Sequence, residues 1–416
     1  MPTPRCALRG LSATAVLAVA AVLVPATGAG AAEAPLSATD QLVADRLAIR
    51  STAKALGSDL AGVVTDAATG QVLWSQTPNE VQIPASNTKI ITAVNALQAF
   101  GPTHRFTTQV VAGATPRHVV LVGSGDPSLK SVHLNRMART VAAAVQAQGL
   151  RTIRVQVDDS LFPAPTLATG WKSSYVTRDV SHVRALVVDQ HRRWDTSIDA
   201  GQVFAAKLRK WGLKVRKVTR AVAPEGATVL AQSLGAPLSN QVAYMLQVSD
   251  NDVAESLHRL VAVQTGFEPS WDGARQAQIA ALGALGVPLT SAMYDGSGLS
   301  RRDRLSPATL ATVLAVIMDS RHPNLVGLQH GAFAVAGVSG TLAPNYKRYV
   351  TNPTRCAAGL VEAKTGSLSG VISLSGFARG ADGNVKIFSF LLNKVPSTLT
   401  TRRAVDRLAT TVTGCW

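Results

Sequence analysis

The stretch Pro84-Ala85-Ser86-Asn87-Thr88-Lys89 decides how the rest of the chain is read, because it sets a hydroxyl and an amine three residues apart. In the residues that follow, Ile90, Ala93, Val94, Leu97 and Phe100 share one face of a helical period, which predicts a buried helix with Ser86 at its start. Side chains three apart in a first helical turn are neighbours, so Lys89 can reach the Ser86 hydroxyl. The positive end of the helix favours the neutral amine. A neutral lysine can take the serine proton, and without such a base a serine hydroxyl is a poor nucleophile. The structural alternative makes Ser86 a helix cap and Lys89 a solvated side chain. Ser-x-x-Lys is too short to choose between them by itself.

Length and composition bound the choice. A chain of 416 residues, 46% hydrophobic, points to two or three domains with a large core. Residues 1–31 differ in kind: Arg5 and Arg9 precede an apolar run over 11–25, and Ala29-Gly30-Ala31 follows it. This is the pattern of an export leader, with an apolar run short for a membrane-spanning helix. Cys6 precedes that run, where a lipid-bearing cysteine would follow it. Cys356 and Cys415 remain in the mature chain, and an oxidising compartment would let them pair. The net charge of +16 becomes +14 without Arg5 and Arg9, since residues 1–31 carry no acid. A basic exported protein suits an anionic cell wall or membrane surface. Nucleic acid is not expected, because Lys207, Arg209, Lys210, Lys214, Arg216, Lys217 and Arg220 read as a solvated face.

Along the chain, residues 61–65 and 71–75 flank Asp66-Ala67-Ala68-Thr69-Gly70 as a hairpin before the Ser86 helix. Strands are expected over 106–111 and 119–122, then a loop at Gly123-Ser124-Gly125-Asp126-Pro127-Ser128-Leu129. That loop lacks the third glycine of a dinucleotide site, and Pro127 stands where the helix would run. A helix over 134–148, a strand over 152–157 and a short amphipathic helix around 203–211 complete a mixed module. From Pro237 two helical runs are broken by Ser249-Asp250-Asn251, which puts these side chains in a short connection where they can face a cleft or cap the next helix. Ser306-Pro307 opens another helix. Residues 359–363 lead into Lys364-Thr365-Gly366-Ser367, and strands over 371–377 and 386–392 follow as an antiparallel meander before a last helix over 399–412.

Ser86-x-x-Lys89, Ser249-Asp250-Asn251 and Lys364-Thr365-Gly366 each have a plain structural reading, but together and in this order they form the trio of penicillin-binding proteins and class A β-lactamases. Four longer motifs sharpen the likeness: Gly123-Ser124-Gly125-Asp126-Pro127-Ser128-Leu129, Ala254-Glu255 after Asn251, Asp295-Gly296-Ser297-Gly298-Leu299-Ser300, and Gly337-Val338-Ser339-Gly340-Thr341-Leu342. With them the chain resembles, from Leu42 onward, the low-molecular-mass class C penicillin-binding proteins, D-alanyl-D-alanine carboxypeptidases that also act as endopeptidases on peptidoglycan cross-links. The resemblance implies an α+β, transpeptidase-like domain with an antiparallel sheet between helices, and a smaller mixed domain inserted in it. The 163 residues from Ser86 to Ser249 leave room for that insertion at residues 104–227, with 32–103 and 228–416 forming the main domain. It also implies roles. Ser86 attacks a carbonyl carbon, Lys89 accepts its proton and Ser249 passes a proton to the leaving amine. Asn251 holds a substrate amide, while Lys364, Thr365 and Ser367 hold a terminal carboxylate. The backbone N–H groups of Ser86 and Ser367 form an oxyanion hole. Relatives often place acids three or four residues after the tryptophan of a Gly-Trp pair, near the side-chain amine of the substrate. Here Gly170-Trp171 has Ser174 and Tyr175 at those offsets, a departure that speaks against recognition of a diaminopimelate-type amine unless Asp179 substitutes.

The expected partners are peptidoglycan stem peptides, with β-lactams as inhibitors and no cofactor or metal. No His-Glu-x-x-His occurs, and the 8 histidines are scattered. A β-lactamase would add a second base for deacylation, for which no acid is placed. A non-catalytic wall-binding or penicillin-sensing module would be expected to carry a broken trio.

Overall fold

The helix after Ser86 is buried on every side: Thr88 through Leu97 are all inaccessible, the residues opposite the expected apolar stripe included. A helix lodged in the middle of a core takes apolar residues all round, and Ile91 and Ala96 serve that second face. The computed structural model describes residues 35–289 and 291–416; the leader expected over 1–31 lies outside them.

In chain order the helices are α1 (Ala38–Arg50), α2 (Thr88–Phe100), α3 (Ser131–Ala147), α4 (Thr196–Lys210), α5 (Leu238–Val248), α6 (Asn251–Gln264), α7 (Trp271–Ala284), α8 (Pro307–Met318) and α9 (Leu399–Val412). The strands are β1 (Asp59–Asp66), β2 (Val72–Gln76), β3 (Thr107–Ala112), β4 (His118–Val122), β5 (Thr152–Asp158), β6 (Lys214–Arg220), β7 (Val229–Leu234), β8 (Ala334–Val335), β9 (Val361–Leu368), β10 (Val371–Arg379) and β11 (Val385–Asn393).

The larger sheet runs β2-β1-β11-β10-β9-β8 with every pairing antiparallel. Successive residues of a strand face opposite sides. Phe388, Phe390 and Leu392 pack with Val43 and Leu47 of α1 and Val405, Leu408 and Val412 of α9. Ile387 and Leu391 face the other way, into the core of α2, α5, α6 and α8. On that second face Ser373, Ser375 and Ser389 interrupt the apolar pattern. They hydrogen-bond to Pro84, Asn87 and each other beneath the Ser86 turn. The sheet is thus polar where it carries the candidate nucleophile.

A second sheet runs β6-β5-β4-β3-β7, parallel through β4, β5 and β6 and antiparallel around β3. Parallel neighbours need helical crossovers, and α3 and α4 supply them, packing Leu134, Val141, Phe204 and Leu208 on Val119, Leu121, Val155 and Val157. α4 begins at Thr196, ahead of the expected start, because Asp195 caps it by accepting the N–H of Ile198. The last strand of this sheet, β7, lies beyond residue 227, where the insertion is expected to end, since Val229 to Leu234 pair with β3. The Gly123-to-Leu129 loop joins the second sheet to the helical core at α5 and α6. Asp126 is buried in it, accepts from Ser128, and is approached by Gln241 of α5.

Candidate active site

Ser86 sits in a single 3-10 turn, Ala85–Asn87, that runs into α2. It does not cap the helix: the cap position belongs to Asn87, whose side chain donates instead to Ser375 Oγ at 2.7 Å. Ala85 is held at φ 48°, a left-handed conformation that costs a non-glycine residue energy and is kept only where the surroundings impose it. The neighbouring backbone explains the constraint. A Cβ on Gly298 would lie 1.9 Å from the Ala85 carbonyl oxygen, and one on Gly366 would lie 2.0 Å from Ser373 Oγ and 3.1 Å from the Ser86 nitrogen. Two glycines therefore let the 295–300 loop and strand β9 close on the serine turn from opposite sides.

Lys89, in the first turn of α2, is fully buried with Nζ 3.1 Å from Ser86 Oγ, 2.7 Å from Asn251 Oδ1 and 2.7 Å from the Ser297 carbonyl oxygen. Asn251 Oδ1 and the Ser297 carbonyl can only accept. A neutral amine has two hydrogens and one lone pair, so it satisfies both and turns its lone pair to the Ser86 hydroxyl. Burial favours that form and lowers the pKa to about 8, against the pull of Asp295, Glu255, Asp250 and Asp252.

The Ser249-Asp250-Asn251 connection divides the two expected roles among its residues. Asp250 caps α6 by accepting the Val253 N–H at 2.9 Å. Ser249, at φ 63°, turns toward the cavity. Asn251 gives its Oδ1 to Lys89 and donates Nδ2 to the Asp179 carbonyl at 2.8 Å. Lys364-Thr365-Gly366-Ser367 lies within β9. Lys364 is fully buried and donates to Ser249 Oγ and its neighbour's carbonyl, both at 2.8 Å. Burial, then Lys89, hold its pKa well below the usual lysine value. Thr365 bonds Thr341, and Ser367 accepts from Arg402 at 3.2 Å. Ser86, Ser249, Thr365 and Ser367 line one cavity of about 200 Å³, with Thr341, Tyr346, Arg348 and Arg402 on its rim. Lys89 and Lys364 lie one hydrogen bond behind it, and Asn251 lies behind Lys89. A larger cleft of about 500 Å³ opens at Asp158, Asp159, Arg184 and Arg220, where both arginines pair with Asp159, Asp158 accepts backbone N–H groups and none of the trio is present.

Several residues that build the site have no assigned role in the sequence reading. Glu255, buried one turn after Asn251, accepts the N–H groups of Gly296 and Ser297, and burial with Asp295 raises its pKa. Asp295 accepts from Gly298, Ser300 and the Trp171 indole. These carboxylates shape the loop that aims the Ser297 carbonyl at Lys89. The signal available was the acid-rich motif itself, Asp295 amid glycines and Glu255 in phase with Asn251. Asp179, the one stand-in for the acids absent after Trp171, pairs with Arg178 at 2.8 Å. Arg348 is buried against Asp406.

A family model described as the D-Ala-D-Ala carboxypeptidase 3 (S13) family matches residues 43–193 and 189–412. A carboxypeptidase of Mycobacterium tuberculosis is 35% identical over 378 residues, 86% of this chain and 80% of that protein. Carboxypeptidase DacB of Mycolicibacterium smegmatis is 33% identical over the same shares. The fold is similar to that of penicillin binding protein 4 from Haemophilus influenzae, with a TM-score of 0.75 at 22% identity over 87% of this chain and 97% of that one. The α+β, transpeptidase-like architecture expected from the sequence is the one found, and the chain belongs to the D-Ala-D-Ala carboxypeptidase 3 (S13) family.

Proposed function

We propose that Ser86 is the nucleophile of a serine-type D-alanyl-D-alanine carboxypeptidase acting on peptidoglycan stem peptides. The observation that carries this reading is the buried Lys89 amine 3.1 Å from Ser86 Oγ, its other contacts made only to acceptors. Ser86 Oγ attacks the carbonyl carbon of the penultimate D-alanine while Lys89 takes the hydroxyl proton. The N–H groups of Ser86 and Ser367 stabilise the resulting oxyanion. Ser249 relays a proton to the departing amine, Thr365 and Ser367 face the terminal carboxylate with Lys364 behind Ser249, and water then hydrolyses the Ser86 ester. Asn251 orients Lys89, a task added to the substrate contact expected of it. The main domain comprises residues 35–103 and 235–416, the stretch 228–234 passing with β7 to the inserted segment. The inserted segment, with β7 completing its sheet, braces the catalytic loops through Trp171 and the Asp179 carbonyl.

Endopeptidase action on cross-links uses the same acyl-enzyme, and β-lactams inhibit by acylating Ser86 themselves to give an ester that is slow to hydrolyse. In peptide hydrolysis the D-alanine leaves and makes room for water, whereas an opened β-lactam stays tethered over the ester. Asp295 and Glu255, the carboxylates that pull most strongly on Lys89, are occupied by loop N–H groups. A deacylating base of the β-lactamase kind is therefore not provided by either. The chain acts outside the cytoplasm: the leader pattern of residues 1–31 carries it across the membrane, and its basic charge favours the anionic wall. Among the described residues no helix is long and apolar enough to span a membrane.

The test combines fluorescent-penicillin labelling with D-alanine release from a peptide ending in D-Ala-D-Ala. The wild type releases D-alanine and is labelled for a long time on the peptide containing Ser86. Ser86→Ala, folded by circular dichroism, does neither. Labelling that persists in that variant rejects Ser86, and rapid penicillin turnover without D-alanine release assigns the chain a β-lactamase activity instead.

A further inference from the structure

Recognition of a free terminal carboxylate needs a cation that is charged and reachable when the ligand arrives. Lys364 meets neither condition well. Its ammonium is fully buried behind Ser249, with the Thr365 carbonyl as its second contact. Arg348, at the cavity rim, is buried and held by both oxygens of Asp406. Arg402 differs from both. It lies in the first turn of α9, half-buried, at the end of the cavity where Ser367 stands, and its only hydrogen-bond partner among the described residues is the neutral Ser367 hydroxyl at 3.2 Å. Asp406, one turn further along the same helix, would be its natural helical partner, but that carboxylate is turned to Arg348.

We infer that Arg402 is the residue that recognises the free carboxylate of the substrate's terminal D-alanine, and the corresponding carboxylate of a penicillin, with Ser367 hydroxyl as a second donor. This rests on the acyl-enzyme reading above for which end of the substrate enters this part of the cavity. Arginine suits the task because its planar fork of N–H donors matches a carboxylate and stays protonated when partly desolvated. Burial and the neighbouring Arg348 both disfavour its charge in the empty site, so an arriving anion relieves an unfavourable arrangement. The Arg348–Asp406 pair beside it occupies the carboxylate one turn along α9 that would otherwise compete. The carboxylate, once bound, also stabilises the ammonium form of Lys364 one hydrogen bond behind Ser249.

Two measurements on the full mature chain test this. In the first, the rate of Ser86 acylation by benzylpenicillin is compared with that by its methyl ester, which lacks the charge, for wild type, Arg402→Gln and Arg402→Lys. Arg402→Gln is expected to slow the free acid about ten- to a hundredfold, the value of a lost charge-assisted hydrogen bond. The ester should change less than about twofold, and Arg402→Lys should recover part of the loss. An equal fall with both compounds, or none with the acid, overturns the assignment. In the second, binding of a D-Ala-D-Ala peptide and of its C-terminal amide is measured by calorimetry in the Ser86→Ala background, where no acylation occurs. Loss of preference for the acid on adding Arg402→Gln supports the clamp even if the acyl-enzyme reading fails. An unchanged preference rejects the clamp even if Ser86 is acylated.

Discussion

Lys89 shows how one side chain acquires its chemistry from its surroundings. The lysine is placed by helix geometry, which the sequence spacing already predicts, but its proton affinity is set by burial and by the two acceptors that face it. With a pKa near 8, lowered chiefly by burial, the amine is mostly protonated at pH 6 and mostly neutral at pH 9. Only the neutral form can take the Ser86 proton. The acylation rate by a penicillin should therefore rise about tenfold per pH unit below 8 and level off above it, as a single required deprotonation dictates. Stopped-flow acylation from pH 6 to 10 checks this, and a flat or falling profile contradicts Lys89 as the base. The seven candidate side chains were legible because each is part of a short motif with its own chemistry. Glu255, Asp295 and Arg402 were not, because their meaning lies in contacts: Glu255 is an ordinary helix residue until the 295–300 loop folds its N–H groups onto it.

At the scale of elements, the serine turn is fixed by what closes on it. Strand β9 reaches Ser86 only because residue 366 has no side chain. In Gly366→Ala the new methyl group would meet Ser373 Oγ at 2.0 Å and the Pro84 carbonyl oxygen at 2.9 Å. The strand must then retreat from the turn, costing about 1–3 kcal/mol as overpacked cores do, and the Ser367 N–H retreats with it. Acylation is expected to fall by more than the stability loss alone explains, which denaturant titration alongside penicillin labelling measures. A variant that labels at the wild-type rate shows that β9 need not stand so close. The strong elements were readable from periodicity: the hairpin, α2, the break between α5 and α6, and the β9–β11 meander. Weak contrast hid others. α7 (Trp271–Ala284) is rich in Ala and Gly and offers little apolar stripe. β7 is an edge strand with no buried residue, joined to β3 by a pairing between residues more than a hundred apart that local sequence cannot show.

For the whole molecule, the last helix is held in two independent ways. Its apolar face, with Val405, Leu408 and Val412, packs on the main sheet and on α1, and Arg50 of α1 donates to Thr411. Just beyond its end, Cys415 is bonded to Cys356 in the turn before β9, as the two cysteines of an exported chain suggested, with Cα atoms 6.2 Å apart. The bond spans 59 residues, a loop that includes β9, β10 and β11. Closing such a loop restricts the unfolded chain more than it shapes the folded one, and contributes about 2–4 kcal/mol. The candidate site draws on the N-terminal part of α9, through Arg402 and through Asp406, which holds Arg348, both ahead of the end that Cys415 anchors. Stability and activity should therefore separate. The Cys356→Ser, Cys415→Ser double variant is expected to unfold at lower denaturant concentration by about that free energy, yet to be acylated by penicillin at the wild-type rate under native conditions. Equal stability with and without the bond would mean that packing alone holds the helix. A matching loss of acylation would mean that the far end of α9 must be anchored for its first turn to stay in place at the cavity.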